Sequence, residues 1–210
     1  PPEGGSVSEV IYNDAPNNHW VKSRQQIDGS NWAESTTFYD NLGRAIKTRT
    51  KDLQGDVMSQ VRFDSFGRVE KTSNPYRVDA GGNPTETLYW SKLRYDEQNR
   101  VVETFAPAPD GQTGISLGTA QFGISTLPGL IGTYAVAIDP SGRKSRAISG
   151  IYGMMRVDEA TGKGGTVDQD LGTLANPTQP TFYSYNIKGE LTRIVQGTQN
   201  RYFMYDSLGR

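Results

Sequence analysis

YDNLGR at 39–44 returns as FDSFGR at 63–68, YDEQNR at 95–100, IDPSGR at 138–143, YNIKGE at 185–190 and YDSLGR at 205–210. A catalytic motif needs to occur once, so a phrase written this often points to architecture before chemistry. The starts are separated by 24, 32, 43, 47 and 20 residues, which sets a basic unit of ~20–24 residues with insertions in the middle three intervals. Two weaker copies are visible: ISGIYGMMRVDEA from 148, a further hairpin inside the longest interval, and VIYNDAPNNHW at 10–20, an edge repeat.

Each phrase reads as a β-turn between antiparallel strands. Asp40 can accept hydrogen bonds from backbone amides two or three residues later, and Gly43 can take the positive φ that closes a tight reversal. Asp64 and Gly67, Asp139 and Gly142, and Asp206 and Gly209 repeat the pair. Where the phrase varies it keeps to turn formers: Asn99 follows Asp96 in the glycine slot, and Asn186 precedes Gly189 in the aspartate slot. The residue before the turn is Tyr39, Phe63, Tyr95, Ile138, Tyr185 or Tyr205, and these are expected to form a continuous stripe across stacked hairpins. Arg44, Arg68, Arg100, Arg143 and Arg210 close the phrases. They are expected to pair with the turn aspartates and lie along the aromatic stripe.

The flanks alternate as strands do. In VMSQVRF (57–63), Val57, Val61 and Phe63 share one face while Met58, Gln60 and Arg62 share the other. In YWSKLRY (89–95), Tyr89, Leu93 and Tyr95 oppose Lys92 and Arg94. Composition agrees: 24 Gly and 11 Pro, with 34% hydrophobic residues and more Tyr (11) than Phe (7), favour many short strands over long helices. The fold class expected is all-β, an array of stacked antiparallel hairpins forming a curved sheet, with no helix of consequence. The whole chain, 1–210, reads as one array, with 1–32 a degenerate edge repeat. Two stretches interrupt it. Residues 106–133 read as an excursion over the sheet, carrying Ile115, Leu117, Phe122 and Ile124, and 159–180 as a polar surface loop.

These residues resemble the YD-repeat, or Rhs (rearrangement hotspot), family, in which Tyr-Asp-x-x-Gly-Arg recurs at ~20 residues. The resemblance runs from about residue 33 to the end, and is particularly close over IDPSGRKSRAISGIYGMMRVDEA at 138–160. It implies a strip of hairpins that spirals into a hollow β-shell. In bacterial toxin systems such shells enclose a toxic C-terminal polypeptide, and in the animal teneurins a related shell belongs to a cell-surface adhesion protein. The partners it implies are further repeats and an enclosed polypeptide, and the setting it implies is secreted or cell-surface. The start, PPEGGSVSEV without an initiator Met, reads as an excised piece of something larger.

Chemistry is thinly represented. Twenty-two Lys and Arg against 23 Asp and Glu give no electrostatic case for nucleic acid, and no apolar run approaches the ~18 residues of a membrane span. Without cysteine there are no disulfides or thiolate metal sites, and with His19 the sole histidine no histidine cluster can form. GKGGT at 162–166 lacks the spacing of a phosphate-binding loop. No cofactor or metal is expected, beyond an ion held incidentally by Asp158, Glu159, Asp168 and Asp170. Paired turn aspartates could serve glycoside hydrolysis, but each is accounted for by its own turn, so the chain is not read as an enzyme. The alternative to a structural role is a glycan- or protein-binding module, with Trp20, Trp32 and Trp90 as stacking surfaces. Edge strands of an open array also predict edge-to-edge self-association.

Overall fold

The structure, a computed structural model, describes residues 7–210; the first six residues of the 1–32 edge repeat lie outside the described residues. Apart from one five-residue helix, the regular structure among them is antiparallel β, in sixteen strands joined mostly as consecutive hairpins. The chain divides into two compact units. Unit 1 runs to residue 100 and takes in 104–115, and unit 2 holds 101–103 and 116–210.

Unit 1 contains β1 (Ser8–Ala15), β2 (Asn18–Asp28), β3 (Asn31–Tyr39), β4 (Ala45–Thr50), β5 (Val57–Phe63), β6 (Val69–Ser73), β7 (Tyr76–Arg77) and β8 (Trp90–Tyr95). Its strands lie in sequence order from β1 to β6 and then β8, while the two-residue β7 pairs β5 beyond the end of β6. The weak copy at 10–20 is a real hairpin, and Asn17 takes φ 60 in the place of a glycine. Of VMSQVRF, Met58 is the most buried, packing with Tyr76 and Val78 on the face opposite Phe63. The inserted segment 74–89 supplies that cover.

The next strand, β9 (Val101–Ala108), is divided between the units. Unit 2 then contains β10 (Ser116–Ser125), β11 (Gly132–Ile138), β12 (Arg143–Gly150), β13 (Gly153–Lys163), α1 (Val167–Leu171), β14 (Pro180–Tyr185), β15 (Leu191–Gln196) and β16 (Gln199–Tyr202). Its strands follow sequence order. The stretch 106–133 is mostly strand, and Ile115, Leu117 and Ile124 are exposed. The hairpin expected from residue 148 is β12–β13, turning at Ile151–Tyr152.

The stretch 159–180 departs furthest from a polar surface loop. It begins inside β13 and continues into α1, which opens with a capping box between Thr166 and Gln169. Leu171 is fully buried against Val136 and Ala160. A segment rich in Gly, Thr and Asp can pack here because its polar groups bond to the strands beneath.

Candidate functional site

The phrases share one geometry. In the first, the Asp40 amide donates to the Arg44 carbonyl and the Gly43 amide to the Asp40 carbonyl, both at 2.9 Å. The carboxylate Oδ1 accepts from the amides of Leu42 and Arg44. Gly43 sits at φ 75, and the register slips by one residue between Phe38 and Tyr39: a type I turn closed by a bulge. The same backbone bonds recur at Asp64, Asp96, Asp139, Asn186 and Asp206. Positive φ recurs at Gly67 (82), Asn99 (63), Gly142 (83), Gly189 (81) and Gly209 (76). Asp79–Asn83 in VDAGGN follows the same scheme, a further turn that an aromatic-led search of the sequence passes over.

Arg44, Arg68 and Arg100 pair with their own aspartates at 2.7 Å, and Arg210 with Asp206 at 3.3 Å; at Asp139 the Arg143 amide donates to the carboxylate. In unit 1 the arginines also reach forward. The Arg44 guanidinium lies 4.3 Å over Phe63, and that of Arg68 lies 4.7 Å over Tyr95 while donating to the Asn99 side chain. The expected aromatic stripe is therefore an alternation of ring and guanidinium in unit 1. At YNIKGE the polarity is exchanged: the Asn186 amide donates to Glu190 at 2.6 Å. In unit 2, Ile138 and Tyr185 are half-buried and Tyr205 is exposed.

These bonds hold the carboxylates ionised. At Asp40 the Arg44 amide, ahead of its guanidinium, keeps the carboxyl below the ordinary range. At Asp64 and Asp96 desolvation pushes upward and is outweighed by the amide and then the guanidinium of Arg68 and Arg100. Ser141 leads at Asp139, and the Arg210 amide at Asp206. A general acid needs a raised pKa, so the shift runs against that role.

An open groove of about 380 Å³ lies in unit 1 on one face of β2, β3 and β4. Its side chains fall in cross-strand rows. Trp20 opposes Phe38, and Lys22 opposes Thr36, which opposes Arg49. Thr36 is buried and forms the floor. At one end Glu34 lies between Lys22 and Lys51, 3.4 Å from each ammonium. At the other, Arg49 pairs with Asp56 at 2.6 Å and reaches the carbonyls of Asp79 and Ala80. At Glu34 desolvation raises the pKa, but Lys22 and Lys51 lower it more.

Of the three tryptophans, Trp20 lines this groove. Trp32 is half-buried with the Arg24 guanidinium 4.5 Å over its ring. Trp90 is 6% exposed, beneath Arg62 at 4.7 Å and against Gly111, so its face is closed to a ligand. Its burial depends on the distant 109–114 loop, which its neighbours in sequence do not announce. His19 places Nδ1 2.9 Å from Asp14 at the end of the β1–β2 hairpin.

Unit 2 carries charge of another kind. Arg146 and Asp158 are cross-strand partners on β12 and β13 and are almost wholly buried, as is Arg156. Arg146 Nε donates to Asp158 Oδ2 at 2.7 Å and its Nη2 to the carbonyls of Gly172 and Thr173. Arg156 Nη2 donates to the same carboxylate oxygen at 2.9 Å and to the Leu174 carbonyl. Its Nε lies 2.7 Å from Asp158 Oδ1 without a hydrogen-bonding angle, so that contact is Coulombic only. Lys144 pairs with buried Asp170 at 2.7 Å. Of the acidic set Asp158, Glu159, Asp168 and Asp170, two are thus committed to buried cations. No three His, Cys, Asp or Glu side chains among the described residues converge as a metal requires. No helix among them is long and apolar enough to cross a membrane.

A family described as a domain of unknown function (DUF6443) matches residues 9–87, a span that holds the whole groove and the first two phrases. No curated protein matches the chain.

Proposed function

We propose that this chain is a segment of a YD-repeat wall of the Rhs type, which encloses or displays another polypeptide in a secreted or cell-surface protein. The observation that carries the reading is the forward reach of Arg44 onto Phe63 and of Arg68 onto Tyr95. The arginines of the first two phrases join one hairpin to the next, which is the work of a wall, and the phrase aspartates are held ionised in their turns. The test is protection from protease in the full product of the reading frame. A polypeptide following the repeats should survive protease concentrations that digest it when it is made alone, and lose protection in an Arg44→Ala, Arg68→Ala double variant. Equal digestion in both settings would overturn the reading.

A second reading, a module that binds glycans or a partner surface, is favoured by the groove beside Trp20. It is compatible with the first, since a wall has a face to present. Titration with oligosaccharides followed by tryptophan fluorescence tests it.

A further inference from the structure

We infer that unit 2 holds a binding site for a small monocarboxylate with an apolar body, its carboxylate set against the buried Arg146 guanidinium and its body lying against Tyr134, Val167 and Leu174. The site goes beyond both readings above and is confined to unit 2.

A cleft of about 440 Å³ lies between the sheet and the segment that follows β13. Strand register builds its sheet side. Gln121 opposes Val136, which opposes Arg146, which opposes Asp158, and Gly123 opposes Tyr134 in the next row of the same face. Glycine is required at 123, because a Cβ there would run into the Tyr134 ring. The segment after β13 supplies the other side, with aliphatic surface from Val167 and Leu174. Tyr134 and Val167 also pack against the Val136–Leu171 core, so both walls are fixed by the fold.

The charge selects the ligand. Lys144, Arg146 and Arg156 are the buried cations among the described residues and Asp158 and Asp170 the buried carboxylates, so one positive charge has no buried counter-ion. Lys144 is matched by Asp170, which leaves two guanidinia on Asp158. A guanidinium has five N–H donors and cannot shed its charge. Arg146 uses Nε and Nη2 on Asp158 and on the carbonyls of Gly172 and Thr173, while its Nη1 donates to nothing among the described residues. Nor is Nη1 sealed in: the buried side-chain polar atoms without a partner are Ser125 Oγ, Arg156 Nε and Asp158 Oδ1. Of the two arginines, Arg146 is the one that lines the cleft. A carboxylate placed there gains charge-assisted hydrogen bonds and answers the unmatched cation. Exposed Asp168 lines the same cleft and limits the charge, since a dianion would bring its second charge toward that carboxylate.

The experiment is calorimetric titration of the 210-residue chain with phenylacetate, its uncharged isostere phenylacetamide, and acetate. Phenylacetate should bind about tenfold or more tighter than either comparator. Two exposed side chains locate the site: Asp168→Asn should tighten phenylacetate binding severalfold, and Gln121→Glu should weaken it to a like degree. Arg146→Gln should abolish binding, with circular dichroism reporting whether the strands persist; should they not, the two surface variants decide the location. Equal binding of phenylacetamide would overturn the carboxylate, and equal binding of acetate would overturn the apolar body. Phenylacetate affinity unmoved by both surface variants would place the site elsewhere and overturn the assignment, as would absence of binding. None of these outcomes touches the wall or the unit 1 groove, which have their own tests.

Discussion

Glu34 between Lys22 and Lys51 in unit 1, and Asp158 between Arg146 and Arg156 in unit 2, are the same device: one carboxylate shared by two cations on a sheet face. Their surroundings differ. The side chains of Glu34, Lys22 and Lys51 are 22%, 33% and 52% exposed, while those of Asp158, Arg146 and Arg156 lie between 0% and 3%. The 164–178 segment roofs the second set, and its carbonyls at Gly172, Thr173 and Leu174 accept from Nη2 of Arg146 and of Arg156. Among the described residues no such roof meets the lysines, which bond Glu34. A charge cluster closed over by its own fold is a fastener; one left open to solvent holds far less.

The contrast should be largest in stability. Asp158→Ala strands two buried guanidinia and should cost about 3–5 kcal/mol, whereas Glu34→Ala should cost no more than about 1 kcal/mol. Urea denaturation of the two variants measures both, and equal losses would break the distinction between fastener and open cluster. Leu171→Ala sharpens it by attacking the roof directly. Emptying a fully buried leucine should cost about 2–5 kcal/mol, with the loss of protection in hydrogen exchange centred on 164–178.

The turns offer a finer test. Gly43 and Gly67 both have positive φ, but a methyl at Gly43 meets nothing within 4 Å, while one at Gly67 would lie 3.1 Å from Arg44 Nη1. Gly43→Ala should cost about 1–2 kcal/mol for the backbone alone. Gly67→Ala should exceed it slightly, because the Arg44 guanidinium over Phe63 must also shift by a few tenths of an ångström. Identical losses in thermal melting would show that Arg44 swings aside freely.

The smallest effect per group is acid sensitivity. Asp40, Asp64, Asp96, Asp139 and Asp206 all have carboxyls lowered from the ordinary 3.8. Groups of this sign contribute stability that is present above the unfolded value and lost as pH falls through the folded one. The deficit of an Asp64→Asn variant near neutrality should therefore shrink as the pH falls below 3.8 and on through the lower folded value. A deficit constant across that range would mean the carboxylate's charge plays no part.

Much of this was legible in the chain. Aspartate followed three residues later by glycine or asparagine fixes a turn through local hydrogen bonds, so every phrase could be placed, including those where Asn99 and Asn186 substitute. The β12–β13 hairpin followed from the same reading. What eluded it depends on segments distant in sequence. Trp90 looked available because its strand alternates, yet Gly111 lies against it. The 159–180 segment looked like a loop because it is polar, yet that polarity is what binds it to Lys144, Arg146 and Arg156. Signals did exist: the Thr166–Gln169 capping box, Val167 and Leu171 four residues apart among polar neighbours, and cations at alternate positions 144 and 146 of a strand. The groove was legible only as Trp20, since Lys22, Glu34 and Lys51 meet through strand pairing.

The forward-reaching arginines bear on how such a chain can change over generations. The first two phrases start 24 residues apart and the next pair 32, yet Arg44 meets Phe63 and Arg68 meets Tyr95 in nearly the same way, at 4.3 and 4.7 Å. The additional length is accommodated between β6 and β8, at the far ends of the strands, where 74–89 folds back on Met58. Within unit 1 the margin that carries the three phrases keeps its spacing while the opposite margin absorbs the insertion, so lineages can append new surface there without disturbing those turns.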